Sequence, residues 1–317
     1  MAANWMRRTV LVAACASAAL LAACGSSTTE SAIAPERFIA FGDANSDVGQ
    51  KGTRYTVNDG SVNNWTLQVA ANYGKPLAAA SAGGKSYAVG NARVKIKPDA
   101  AGNASTPTIT EQIDTFLASG SFGASDVVFL SGGISDVIAG MAAVQAGTQT
   151  EAAMVAAARQ AGEDMAAQVR RLVAAGAKYV VVTGTYDLSK TPWAKTIGRE
   201  ALLADASSRF NDGLLVGIVD LGANALYVDL AYYVNLYTSV PGNYGFNNAT
   251  TAVCTSVDAT NGIGIGAGKV NSALCNSSTL LSGANQAAYV FADSVYLTPS
   301  AQRQFGTYAY DRLRARW

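Results

Sequence analysis

Four short runs decide most of what this chain can fold into: Phe38-Ile39-Ala40-Phe41, Asp126-Val127-Val128-Phe129-Leu130, Tyr179-Val180-Val181-Val182 and Ala225-Leu226-Tyr227-Val228-Asp229. Each is nearly continuous in apolar residues rather than alternating, which suits parallel strands covered on both faces. The first ends at Gly42-Asp43 and the second at Ser131-Gly132-Gly133. Helical patterns separate the runs. Thr108 with Glu111 forms a capping-box signature opening a helix toward Phe116-Leu117, and Thr148 with Glu151 predicts the start of a longer one. In that longer helix Met154, Ala158, Ala161, Met165, Val169 and Leu172 recur at spacings of three and four, a single apolar stripe, and Gly176 supplies a stop. A third helix is expected over residues 199–216. The last opens at Thr298-Pro299 and ends among Arg312, Arg314 and Arg316, cations that complement a helix C-terminus. Strand and helix in alternation predict an α/β class: a three-layer α/β/α domain with a mainly parallel sheet and its functional loops at the C-terminal strand ends. Residues 239–288, rich in Gly, Asn, Ser and Thr, read as a long excursion, and neither a second domain nor an internal repeat is visible.

Composition narrows the function. Half the residues are hydrophobic and 14% are charged, which excludes a disordered, coiled-coil or collagen-like chain. Lys+Arg 23 against Asp+Glu 22 gives a net charge of +1, so no basic excess is available to hold nucleic acid. The chain has no histidine. That removes the commonest general base at neutral pH and the commonest metal ligand. It excludes an ordinary Ser-His-Asp hydrolase and a histidine-built metal site, and no metal or cofactor is expected.

The N-terminus predicts export. Arg7 and Arg8 precede an uncharged run of small apolar residues from Thr9 to Ala23, short for a membrane span and suited to a signal peptide. It ends in Leu21-Ala22-Ala23-Cys24-Gly25, which resembles a bacterial lipobox with Cys24 as the lipidated first residue of the mature chain. Gly25 resembles an outer-membrane sorting pattern. The expected organisation is therefore a signal peptide over 1–23, a polar tether over 24–35 and one domain over 36–317. Removing 1–23 takes away two arginines and no acid and turns the charge of +1 into −1, so attachment to the envelope membrane would come from lipid on Cys24 rather than from basic attraction. Cys15 falls in the discarded segment. Cys254 and Cys275 remain, and an oxidising compartment favours a disulfide between them over two free thiols.

Five segments in order then resemble the signature blocks of the GDSL, or SGNH, esterase/lipase family. Phe41-Gly42-Asp43-Ala44-Asn45-Ser46-Asp47-Val48-Gly49 resembles the first block, with Ala44 where the family has its nucleophilic serine. Tyr87-Ala88-Val89-Gly90-Asn91-Ala92-Arg93 resembles the second, whose glycine, here Gly90, lends an N–H to the oxyanion hole; Asn91 stands where a second glycine is usual. Thr110-Glu111-Gln112-Ile113 resembles the helix start before the third block, Leu130-Ser131-Gly132-Gly133-Ile134-Ser135-Asp136, which puts Ser135 at the oxyanion asparagine. Phe291-Ala292-Asp293-Ser294-Val295-Tyr296-Leu297-Thr298 resembles the fifth block, keeping the triad acid as Asp293 and placing Tyr296 at the histidine. The resemblance implies the flavodoxin-like SGNH-hydrolase variant of the predicted fold and a hydrolase of ester bonds.

The substitutions imply lost chemistry. The family serine attacks an ester carbonyl while histidine accepts its proton and N–H groups hold the oxyanion. Ala44 has no attacking atom, and a phenol of ordinary pKa about 10 is a poor base at neutral pH. The expectation is a lipid-anchored envelope protein without ordinary ester hydrolysis, binding an ester-, acyl- or sugar-bearing ligand or an envelope partner. The alternatives are a hydrolase using a displaced nucleophile such as Ser46, and a structural module whose cleft is filled by Tyr296 and its neighbours. Ser46 is expected to serve turn chemistry with nearby backbone, and Asp43 and Asp47 to brace the loop.

Overall fold

The computed structural model describes residues 33–317. The expected signal peptide, Cys24 and most of the tether lie outside the described residues. The four apolar runs form β1 (Phe38–Phe41), β2 (Val127–Ser131), β3 (Tyr179–Thr183) and β4 (Ala225–Tyr227), all parallel and ordered β1-β2-β3-β4. Every residue of β1 and β2 is buried, as continuous apolar runs require. Beyond β1 an irregular segment continues the sheet: the Tyr87 N–H donates to the Ala40 carbonyl at 2.7 Å and the Val89 N–H to the Gly42 carbonyl at 3.1 Å.

Among the described residues eight α-helices alternate with the strands: α1 (Trp65–Asn72), α2 (Ile109–Ser119), α3 (Ile134–Gln145), α4 (Glu151–Ala174), α5 (Pro192–Ile197), α6 (Glu200–Gly217), α7 (Leu230–Ser239) and α8 (Pro299–Arg316). The capping box of α2 is formed in both directions by Thr108 and Glu111. The apolar stripe of α4 is buried along its length, and the helix packs along α6. Helix α1 packs along α8, with Trp65 between Phe129 of β2 and Phe305 of α8 at centroid distances of 5.2 and 5.4 Å.

The expected cap of α4 is corrected. Thr150, not Thr148, accepts the Ala153 N–H, while the Thr148 hydroxyl donates to the Ala143 carbonyl at the end of α3. Two threonines within reach of one glutamate leave the start ambiguous until α3 claims the first. Helix α3 itself carries no capping side chain. It starts from Gly133 at φ 110°, where a Cβ would lie 2.7 Å from the Phe210 ring. Only glycine fits that close approach.

The excursion is less irregular than its composition implies. β5 (Asn248–Ala252) pairs in parallel with β8 (Tyr289–Phe291), and β6 (Val257–Asp258) pairs antiparallel with β7 (Lys269–Val270). Cys254 and Cys275 are joined, with Cα atoms 5.9 Å apart, and are buried with Val57, Val253 and Ala292.

Candidate functional site at the strand ends

The site begins where β1 ends. Gln112 of α2 grips Gly42 with both amide atoms: its Oε1 accepts the Gly42 N–H at 2.8 Å, and its Nε2 donates to the Gly42 carbonyl at 2.9 Å. A Cβ at Gly42 would lie 2.6 Å from the Ser131 hydroxyl and 2.7 Å from the Ser131 carbonyl oxygen, so glycine alone lets the ends of β1 and β2 come together. The chain then turns tightly, with the Ser46 N–H donating to the Asp43 carbonyl at 3.0 Å. Ala44 sits in this turn at 2% exposure.

Ser46 is also buried, and its partners differ from those expected. Its hydroxyl accepts the Trp65 indole N–H at 3.0 Å and shares a hydrogen bond with the Ser131 hydroxyl at 2.6 Å. These are side chains of α1 and β2, not nearby backbone. No carboxylate bonds to the Ser46 hydroxyl among the described residues, so nothing there would draw off its proton.

Asp47 braces the loop as expected, and in doing so it corrects the reading of Gly90. Its Oδ1 accepts the N–H groups of Gly49 and Gln50 at 2.9 and 2.8 Å. Its Oδ2 accepts the Gly90 N–H at 2.8 Å. The donor that the resemblance assigns to an oxyanion therefore serves a carboxylate of the protein itself. Tyr55 also packs against this glycine: a Cβ at Gly90 would be 1.9 Å from its ring. Asn91 adopts a left-handed conformation at φ 66°, which asparagine tolerates better than other non-glycine residues, and its Nδ2 donates to the Gly262 carbonyl at 2.7 Å. That explains how Asn91 stands where glycine is usual.

Ser135 lies in the first turn of α3, fully buried. Its backbone N–H lies near the Asp43 carboxylate, and neither its hydroxyl nor Asp43 Oδ2 has a hydrogen-bond partner among the described residues. Asp293 follows β8, and its carboxylate collects backbone donors. Oδ1 accepts from Val295 and Tyr296, both at 2.7 Å, and Oδ2 accepts from Ser272 at 3.0 Å. Tyr296, 1% exposed, meets Tyr55 edge-on at 5.4 Å, and its hydroxyl has no partner among the described residues. The Tyr186 hydroxyl donates to the Val295 carbonyl close by.

Burial governs the electrostatics. It pushes the Asp43 carboxyl up to about 7, and the charge of Asp136 adds to the effect, while N–H groups of Asn45 and Ser135 oppose it. Asp293 is raised by burial against the pull of its hydrogen-bond donors. Burial, with the charges of Asp43 and Asp293 nearby, holds the Tyr296 phenol well above its ordinary range. Positions 44, 135, 293 and 296 thus lie around one buried centre, since Asp43 beside Ala44 is near the Ser135 N–H and its charge acts on Tyr296.

The excursion roofs this convergence. Ser272 supplies a donor to Asp293, Gly262 accepts from Asn91, and both the main-chain and side-chain N–H groups of Asn58 reach the Cys275 carbonyl at 2.9 and 3.1 Å. Sequence reading missed Tyr55, Trp65 and Tyr186, whose roles arise from contacts far along the chain and leave no local periodic signal. Gln112 could have been noticed, since a polar residue on the inward face of an amphipathic helix needs a buried partner.

A family profile described as GDSL-like lipase/acylhydrolase matches residues 38–308, from the first residue of β1 into α8. No curated protein matches the chain.

Proposed function

The chain belongs to the GDSL-like lipase/acylhydrolase family, and we propose that it is a non-hydrolytic member whose strand-end site has become a closed structural centre. One observation carries this reading: Ala44, in the position of the nucleophile, is buried at 2% exposure, and Tyr296, in the position of the base, is buried against Tyr55, in a chain without histidine. The remaining groups support it. The carboxylates of Asp47 and Asp293 are taken up by backbone N–H groups, and the phenol in the place of the base holds its proton more firmly than an ordinary tyrosine. Loss of a triad serine or histidine costs about 10⁶ in turnover in a well-studied hydrolase, so either replacement here is sufficient to abolish useful catalysis.

In this reading lipid on Cys24 holds the domain at the bacterial envelope, in the outer membrane, supported by the lipobox-like Leu21-Ala22-Ala23-Cys24-Gly25 and the Ser/Thr-rich tether. Growth with an alkyne-bearing fatty acid labels the parent chain and leaves Cys24→Ser unlabelled. Ser46 as a substitute nucleophile has no observation in its favour, because its hydroxyl is buried and bonded to Trp65 and Ser131.

The test is a fluorophosphonate probe together with short nitrophenyl esters. Neither labelling of a serine nor ester turnover is expected. The combined variant Ala44→Ser, Ser135→Asn, Tyr296→His is expected to stay silent as well, because Tyr55 and the roof still close the site. Stoichiometric serine labelling of the parent chain overturns the proposal. Turnover by the restored variant alone overturns the closure.

A further inference from the structure

Away from the strand ends, an open groove of about 370 Å³ runs between α7 and α8, lined by Tyr233, Arg303, Gln304, Thr307, Tyr308 and Asp311. Its rings pack into one aromatic cluster. Tyr233 and Tyr308 lie 4.2 Å apart between centroids, inclined by 31°. Tyr232, 54% exposed, meets Tyr233 edge-on at 5.7 Å. Buried Phe305 supports both Tyr233 and Tyr308 from below at 6.4 Å. Rigid aromatic side chains of this kind give contact area at small entropic cost.

The polar groups narrow the ligand. Every lining side chain carries a hydroxyl, amide or charge, and none is aliphatic. A docking helix lays its apolar face into a hydrophobic groove, and this groove is lined by polar groups at every position. Its two charges, Arg303 and Asp311, cancel. The Arg303 guanidinium is already engaged, donating to the Ser61 hydroxyl and the Val62 carbonyl at 3.2 and 3.1 Å, so it is not poised as a fork for an anion. Gln304 donates from Nε2 to the Tyr244 carbonyl at 2.9 Å, which keeps its amide oxygen as an acceptor. The groove thus combines aromatic faces, fixed donors and acceptors, and no net charge. A pyranose ring has the complementary chemistry: an apolar C–H face to lie on a tyrosine and a rim of hydroxyls for amide and carboxylate groups.

We propose that the α7–α8 groove is a binding site for neutral oligosaccharide. The site is separate from the strand ends and does not depend on whether the chain hydrolyses esters.

The test is calorimetric titration of the mature chain with maltotetraose, cellotetraose and chitotetraose. One of these is expected to bind. Tyr308→Ala, Gln304→Ala and Asp311→Asn are each expected to weaken that binding by about tenfold or more, the cost of a lost ring or of an unmatched polar group. Tyr308→Phe, which keeps the ring, stays within about threefold of the parent. Asp311 is exposed, so its substitution answers the question even where a tyrosine variant folds poorly. The proposal is overturned if none of these sugars binds at about 10 mM, if binding survives Asp311→Asn and Tyr308→Ala unchanged, or if the tyrosine face proves to pair two copies of the chain.

Discussion

The strand ends and the α7–α8 groove are both rich in tyrosine and in acid or amide side chains, yet they differ in where that hydrogen-bonding capacity goes. At the strand ends it is turned inward. Asp47 holds three backbone N–H groups and Asp293 another three, while Ser46 ties α1 to β2. In the groove Asp311 is exposed, and Tyr232 stands more than half in solvent. A dense constellation of reactive residue types is therefore not a measure of activity. On the reading proposed above, what separates the two regions is whether such groups remain accessible to solvent.

This contrast makes the strand ends sensitive to substitution and the groove tolerant of it. The largest effect belongs to Asp43. Its pKa in the fold is about 7, against an ordinary aspartate value near 3.9. Below about pH 4 both folded and unfolded chains carry the proton, and there is no penalty. Between about pH 4 and 7 the unfolded chain ionises while the fold retains the proton, so stability falls as pH rises, and above that range the loss is complete. Asp43→Asn removes this contribution. In urea unfolding the variant should match the parent near pH 4 and exceed it at pH 8 by on the order of 4 kcal/mol. A pH-independent difference would show that residue 43 is not a buried carboxyl resisting ionisation.

Asp293→Ala comes next, with an expected loss of about 3–4 kcal/mol in the same measurement, because three buried N–H groups lose their acceptor. Reduction of Cys254–Cys275 should cost about 3 kcal/mol. It should also speed amide exchange at Ser272 and Tyr296, since the roof and the Asp293 loop share hydrogen bonds; acceleration confined to the excursion would separate the two. Ser46→Ala should cost about 1–2 kcal/mol, leaving the Trp65 N–H without its partner. Tyr232→Ala, on the open face, should change stability by less than about 0.5 kcal/mol. A large loss there would mean that the groove is structural too and would erase the distinction between the regions.

The sheet was legible because its strands are covered on both faces, which leaves an unbroken apolar signal. The α4 stripe and the α2 cap were legible for similar reasons, since both are local patterns. Helix α3 was not, because it is opened by a glycine approaching Phe210 from another helix rather than by a capping side chain. The convergence of residues 44, 135, 293 and 296 followed from resemblance to ordered blocks. The closure of the site did not, because it depends on Tyr55 lying against Gly90 and on a roof drawn from residues some two hundred positions away. The commitment of the Gly90 N–H to Asp47 was likewise invisible, although both residues stood in the blocks that were read.

Gln112 behaves toward Gly42 as an adjoining peptide group would, offering one donor and one acceptor to the same residue. The curvature of the chain at the mouth of β1 is thus imposed from another helix before residue 44 is reached, and it makes no demand on the identity of that residue. A serine can become an alanine there without disturbing the bend. The Gly-Asp signature of this chain thus records a shape, and the shape is held by a glutamine on another helix rather than by residue 44.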